Sequence, residues 1–578
     1  MLGERGPQRG LFEADNLYGD FVGRESFYGF LASQRGVLFR DQDFAKLYCL
    51  SNGRASVPPS LLATALVLQS FEGVSDKEAK QRADYDLRWK VALGIGLEDR
   101  PFAKSTLQEF RGQLIVHEEQ GAIFQRSLEQ AKRQGYFRGK KKLRLALDTT
   151  AILGRGAVKD TYNLLADGIV QVLRVLAAQE GEGLDAWGQA AGYGRYVSAQ
   201  SIKGQADINW DNPQERRRFL GEIVADADRV LELVRQARSR YEAESAEERA
   251  LAEAAGLLSR LLVQDIERRE DGPELRQGVA RDRVVSVHDP EMRHGRKSKA
   301  QRFDGHKAQV AVDTESQLIT AVTVLPGNAA DREQALEMVE ATELCTGALV
   351  EETIADCAYG DGATRQAFAE AARPLVAKVP AMTNQGRFPK TDFVLDLQAG
   401  TCTCPAGEVT QDLRLHNQGG GVFRFAVSVC APCPLRSQCL RGRGGRTVQV
   451  HPQEGLLQEA RRLQRSPAFA EYRKLRQVVE HRLARLVQLG IRQARYRGRA
   501  KTLFQLYMAA AVANLTLLAG RAVLGGDQPI PPHFLALLIW VAVIILGAMI
   551  WSERGTDPFS RFRIAHGVVQ SPTSRPDF

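Results

Sequence analysis

Three acidic residues in this chain stand where a carboxylate could do chemistry. Asp148 ends the apolar run LRLALD (143–148), and Asp356 ends a second run, ETIAD (352–356). Glu480 lies within EYRKLRQVVEHRLARL, where Tyr472, Arg476 and Glu480 fall at i, i+4 and i+8 and so share one helix face. Aspartates at the ends of neighbouring buried strands, joined by a helix-borne glutamate, suit hard divalent cations such as Mg²⁺ or Mn²⁺. Two such cations stabilise the entering and leaving oxygens of an in-line displacement at a phosphodiester. Taken singly, either aspartate reads more readily as a helix N-cap, and Arg476–Glu480 as a surface ion pair.

Elements that could position these residues follow along the chain. Residues 1–138 read as helical. Pro58 and Pro59 open the run LLATALVLQSF, which stops at Gly73, and Ser75 and Ser105 read as N-caps of the next two helices. This N-terminal unit is either a DNA-end reader or a plain helical bundle. Strand-like runs are 143–148, 308–313, 318–325, 352–356 and 374–379, with a helix over 331–343. Their weak alternation fits strands covered on both faces. Between them, 157–280 reads as a helical insertion, with Asp211, Asn212 and Pro213 starting a helix whose apolar positions from Phe219 to Val234 share one face. A loop is expected at Glu270–Pro273. The fold class expected is α/β, with a mixed sheet core built from 139–156, 281–395 and 455–520.

Five of the eight cysteines crowd into 396–450, as Cys402, Cys404, Cys430, Cys433 and Cys439. Cys404, Cys430, Cys433 and Cys439 have the spacing of a tetrahedral Zn²⁺ site, and the alternative is a metal-free knuckle. No histidine or carboxylate accompanies them, which argues against a catalytic zinc.

The chain has 578 residues, a net charge of +9 and a sequence pI near 9.1. Between Arg436 and Lys501 stand 17 Lys or Arg against four Glu, a local balance of +13. Clustering of this kind suits a polyanion, although a solvated helix face has the same composition. Arg441, Arg443, Arg446, Arg492, Arg495, Arg497 and Lys501 are phosphate candidates, as are His306 and Lys307. Trp187 and Trp210 read as core residues before they read as platforms for an unstacked base. Neither a P-loop nor a dinucleotide fingerprint occurs, so no use of ATP or NAD is expected. The N-terminus MLGERGPQRG lacks a signal-peptide core, and a cytoplasmic location is expected. In the tail 526–578, however, FLALLIWVAVIILGAMIW (534–551) is uncharged; as a helix of about 27 Å it could contact or cross a membrane.

The stretches LALDTTAI, FDGHKAQVAVD, TIADCAYGD, YRKLRQVVEHRLARL and ARYRGRAKTLFQLYMAAAVANL, in that order, resemble DDE transposases of bacterial insertion sequences. The resemblance spans residues 55–520. It implies a ribonuclease H-like core with first and second acids on adjacent strands and the third on a following helix, mapping to Asp148, Asp356 and Glu480. It also implies metal-dependent cleavage of transposon ends and their joining to target DNA by a homo-oligomer, with Tyr472 and Arg476 near phosphate. Many relatives carry a lysine where Val487 stands here, and the Tyr472–Arg476 spacing differs by one residue from the common form. An inactive, DNA-binding relative is the alternative.

Overall fold

The computed structural model describes residues 1–6, 12–49, 52–139, 142–198, 201–297 and 300–523. Residues 1–519 form one compact unit. The apolar segment 534–551 lies outside the described residues.

A mixed sheet lies at the centre. Its strands are β1 (Lys142–Leu153), β2 (Arg293–Arg296), β3 (Arg302–Asp313), β4 (Ile319–Pro326), β5 (Leu349–Ile354) and β6 (Leu375–Val376). β3 runs antiparallel to β1, from Leu145 opposite Asp313 to Leu153 opposite Gly305. The other edge of β3 takes β2 over residues 302–305 and β4 over 306–312, both antiparallel. β5 pairs parallel with β1, and β6 parallel with β5. The order is therefore β4–β3–β1–β5–β6, with β2 extending the β4 edge.

β3 is buried at almost every position beyond its first residues, as its lack of alternation leads one to expect. β1 is longer than the apolar run that announces it. Thr149 to Leu153 continue the ladder because β3 offers partners for each of them. The last strand is shorter than its apolar run, only Leu375 and Val376 pairing with β5.

Helices cover the sheet. Pro59–Glu72 starts with proline at its first turn and ends at Gly73, whose φ of 68° closes the helix in the left-handed region. Ser75 caps Asp76–Tyr85 in a capping box with Glu78. Ser105 caps nothing: the helix Lys104–Val116 starts one residue earlier, from Ala103, and Ser105 lies inside its first turn. One continuous core joins these helices to β1, β3, β4 and the long helix Arg499–Val523. Trp89 sits fully buried in it, its Nε1 donating to Glu72 Oε1 at 2.8 Å. Trp89→Ala should cost about 3–5 kcal/mol, read as a lowered denaturation midpoint.

The insertion after β1 has its own core. Phe219, Leu220, Ile223, Val224, Ala227, Val230 and Val234 of helix Pro213–Arg238 pack there with helices Thr161–Gln179 and Ala246–Asp265. Asn212 caps the first of these as expected. Residues 270–273 form a hairpin and not an open loop: Ile266–Arg269 pairs with Gly272–Leu275, and Pro273 lies in its second strand. Trp210 stacks edge-on against Tyr162 and Phe219, so it is a core ring. The cysteine-bearing segment also packs on itself, around Phe393, Cys402, Phe423, Phe425 and Val448.

Among the described residues one helix, Arg499–Ala522, is long and apolar enough to cross a membrane, but 67% of its apolar window is buried inside the protein. It belongs to the core.

Candidate active site

Asp148 and Asp356 reach the same end of the sheet by register. Ala146 of β1 lies opposite Ile354 of β5, and each aspartate stands two residues further on, Asp148 within β1 and Asp356 just past the end of β5. Asp148 keeps only 17% of its side chain exposed, and one carboxylate oxygen accepts from Thr149 N at 2.7 Å. Asp356 is a helix cap as well as an acid of the cleft: it accepts from Ala358 N at 2.8 Å and closes the turn Cys357–Tyr359.

Glu480 arrives on helix Phe469–Leu486, which packs across β1. Arg476, one turn earlier, lies between the acids. Its guanidinium approaches Asp148 at 3.4 Å and also pairs with Glu480. Tyr472, Arg473, Arg476, Gln477 and Glu480 line one cleft of about 380 Å³ with Asp356, Cys357 and Lys378. The shared face read from the sequence therefore looks into this cleft.

Charge is concentrated here. Burial pushes the Asp148 carboxyl up to about 6, and nearby Asp356 and Glu480 add to the rise against the opposing Thr149 amide and Arg476. Burial also raises Asp356, with Asp331 contributing, while the Ala358 amide and Arg476 oppose it. Crowded carboxylates that resist ionisation fit a hard divalent cation, because all their donors are oxygens and a cation removes the repulsion. Arg476 already supplies a positive charge between two of them. As placed, no three His, Cys, Asp or Glu side chains among the described residues are gathered closely enough to ligate one ion.

The other candidates divide. Arg492 is exposed and donates to Ala151 O at 3.4 Å, three residues beyond Asp148 on β1. Arg497 and Lys501 are exposed, as are Arg441 and Arg443. Arg495 is half-buried and donates to Val74 O at 2.8 Å, joining this segment to the N-terminal helices. Arg446 packs on the Phe393 ring. Tyr472 donates to Glu352 Oε1 at 2.9 Å. Lys307 does not face the surface: it is nearly buried, donating to Ala329 O and Asp331 Oδ1, both at 2.7 Å. His306 is fully buried beside Asp289, at 3.7 Å. Trp187 donates to Glu180 Oε2 at 2.7 Å.

Cys404, Cys430, Cys433 and Cys439 line one small cavity of about 30 Å³. Burial raises the Cys439 thiol, opposed by Arg446 and reinforced by the other three. Cys402 is separate, fully buried in the local core, its thiol pushed up to about 11 by burial.

Asp331, Gln309 and Tyr359 also stand behind the site, where neither strand nor helix patterning marks them. Gln309 Nε2 donates to Asp331 O at 2.9 Å and to Tyr359 Oη at 3.1 Å, behind the two aspartates. Asp331 falls ahead of the helix proper, which starts at Ala335 and not at 331. The turn GNAAD before it was the available signal.

Two family models match the chain, both of transposase domains. The Transposase domain (DUF772) matches residues 27–113, within the N-terminal helices, and the Transposase DDE domain matches residues 403–519, which include Glu480. Together they support a DDE transposase of the insertion-sequence type. No curated protein and no solved structure matches.

Proposed function

We propose that this transposase cleaves transposon ends and joins them to target DNA at Asp148, Asp356 and Glu480. The observation that carries the reading is that Asp356 and the helix-borne Glu480 line one cleft, and that Arg476 in the same cleft reaches both Glu480 and Asp148 of the neighbouring strand. The strand order β4–β3–β1–β5–β6, antiparallel up to β1 and parallel beyond it, supports a ribonuclease H-like core. Mg²⁺ or Mn²⁺, when bound, supplies charge neutralisation at the scissile phosphate and a more acidic attacking water.

The chain's own residues do the rest. Asp148, Asp356 and Glu480 would hold the cations. Arg476, which pairs with Glu480 and reaches Asp148, stands where it would meet phosphate once cations took over those carboxylates. Arg492, Arg497 and Lys501, exposed on the segment that follows the Glu480 helix, position the DNA backbone without reading sequence. Arg495 serves the fold first through Val74, and Lys307 acts through Asp331 and not on DNA. Two ends must be handled together, so the active species is a homo-oligomer. All three acids line or adjoin the cleft, and nothing there favours an inactive relative.

The test is a cleavage assay on labelled DNA carrying the sequences that flank this gene. Nicking at the element boundary that requires Mg²⁺ or Mn²⁺ supports the reading. Binding without nicking would favour the DNA-binding relative.

The four cysteines are assigned a structural zinc, on the strength of their meeting around one cavity. Purified protein should carry about one zinc per chain, and Cys433→Ser should lose it along with melting temperature. A full-length protein free of zinc and unaffected by chelator would remove this assignment.

A further inference from the structure

The cleft that holds Asp356 and Glu480 does not stop at them. A second cleft of about 340 Å³ continues from it, and Lys378, Phe469 and Arg473 line both. Register puts Lys378 beside the acids: Ile354 of β5 pairs with Val376 of β6, and Asp356 and Lys378 each stand two residues beyond that pair. Arg473 precedes Glu480 by seven residues, two turns along the same face of one helix and about 10 Å away. Arg465, the last residue of helix Glu454–Arg465, also lines the second cleft. Gln464 ties that helix end to the sheet, its Oε1 accepting from Val379 N at 3.1 Å.

Lys378, Arg465 and Arg473 are exposed, and none makes an ion pair or a side-chain hydrogen bond among the described residues. No acidic residue lines the second cleft. Neighbouring arginines differ: Arg461 pairs with Glu454, and Arg476 with Asp148 and Glu480. Glu471, on the same helix as Arg473, is engaged by Arg144. Like charges gathered without a counter-charge repel one another, and a polyanion relieves that repulsion. The three also stand apart from Arg492, which reaches Thr150 and Ala151 on β1, two strands from Lys378.

A phosphodiester at the acids has DNA on both sides. In joining, the 3′ hydroxyl of the end forms a P–O bond with a target phosphorus. That phosphorus releases its own 3′ oxygen, which leaves with the proton given up by the attacking hydroxyl. The target duplex must therefore reach the acids along a path that the bound end does not fill. We infer that Lys378, Arg465 and Arg473 form the track for the target backbone, while Arg492, Arg497 and Lys501 hold the end. The inference rests on the proposed function, which puts cleavage and joining at these acids.

The experiment is joining of a pre-cut end, its 3′ hydroxyl exposed, into plasmid DNA by the full-length protein over a series of target and salt concentrations. Wild type is compared with Lys378→Gln, Arg465→Gln, Arg473→Gln and the triple variant. In the triple variant the half-saturating target concentration should rise by about 10-fold or more. The salt slope of target binding should flatten by about 0.9 for each phosphate contact removed. The loss should be alike on targets of different sequence, because phosphate contacts read no bases. It should exceed any loss in band shift of the pre-cut end, and excess target should restore joining. A half-saturating concentration and a salt slope unchanged in the triple variant would overturn this inference alone. So would an equal loss of end binding, which would give the track to the end. A wild type that binds both DNAs but joins nothing would overturn the functional reading, and this inference with it.

Discussion

Asp356→Ala is expected to lower strand cleavage by at least about 10³-fold while leaving binding to end DNA within a few-fold of wild type. The variant removes the carboxylate that lines the cleft just past the end of β5, and no neighbour can replace it. Asp331 is held by Lys307 at 2.7 Å, and Glu480 is already engaged by Arg476. The same change also removes the cap from Ala358 N, a local cost of about 1 kcal/mol. Asp356→Asn separates the two roles, since its amide oxygen still caps the turn but carries no charge. It should be as inactive as the alanine variant and more stable. Gel assays of nicking and of band shift on the same labelled DNA, beside thermal melts, check this. Nicking retained by Asp356→Asn would remove Asp356 from the chemistry.

The second large effect is on stability and has the opposite sign. Burial first, then Asp356 and Glu480, push the Asp148 carboxyl up to about 6 from an ordinary value of 3.8. The folded state therefore binds this proton more tightly than the unfolded state. Below pH 4 the group is protonated in both states and costs nothing. As pH rises from about 4 through 6, the unfolded chain ionises first and stability is lost. By pH 8 the loss approaches about 3 kcal/mol, an upper figure for one group shifted by two units. Asp148→Asn should therefore be inactive yet more stable than wild type at pH 8 in chelator, with the difference vanishing below pH 4. Mg²⁺ should stabilise the wild type at pH 8 and do little for the variant. Denaturant midpoints at pH 4, 6 and 8 measure this. A destabilised Asp148→Asn at pH 8 would show that the site does not strain the carboxylate.

The placement of Asp148 and Asp356 on neighbouring strands was legible because each closes an apolar run, although β1 continues past Asp148 to Leu153. Face-sharing by Tyr472, Arg476 and Glu480 was legible for a similar reason, helix periodicity being local. Lys307 shows where local reading fails. It lies in a strand covered on both faces, and its neutralising partner, Asp331, comes 24 residues later. A basic residue in such a strand looks like a surface ligand until its partner is known. The Gln309–Tyr359 bond joins residues 50 apart, across strands whose pairing no spacing reveals. Of the fold, β1, β3, β4 and β5 were recognisable from their apolar runs. Their extents were not, because Thr149–Leu153 are strand only through their pairing with Gly305–Gln309, and Arg302–Gly305 through theirs with β2. Ser105 misled for a related reason, since it resembles a cap in composition but Ala103 starts the helix.

The central claim, that these carboxylates hold the cations used in cleavage, is tested most directly by changing the chemistry of one ligand. Asp356→Cys replaces a hard oxygen donor by a thiolate, which Mn²⁺ accepts more readily than Mg²⁺. The account predicts that this variant is inert in Mg²⁺ and regains nicking at the element boundary in Mn²⁺, while Asp356→Ala stays inert in both. Cleavage by Asp356→Cys in Mg²⁺ at the wild-type rate would contradict it.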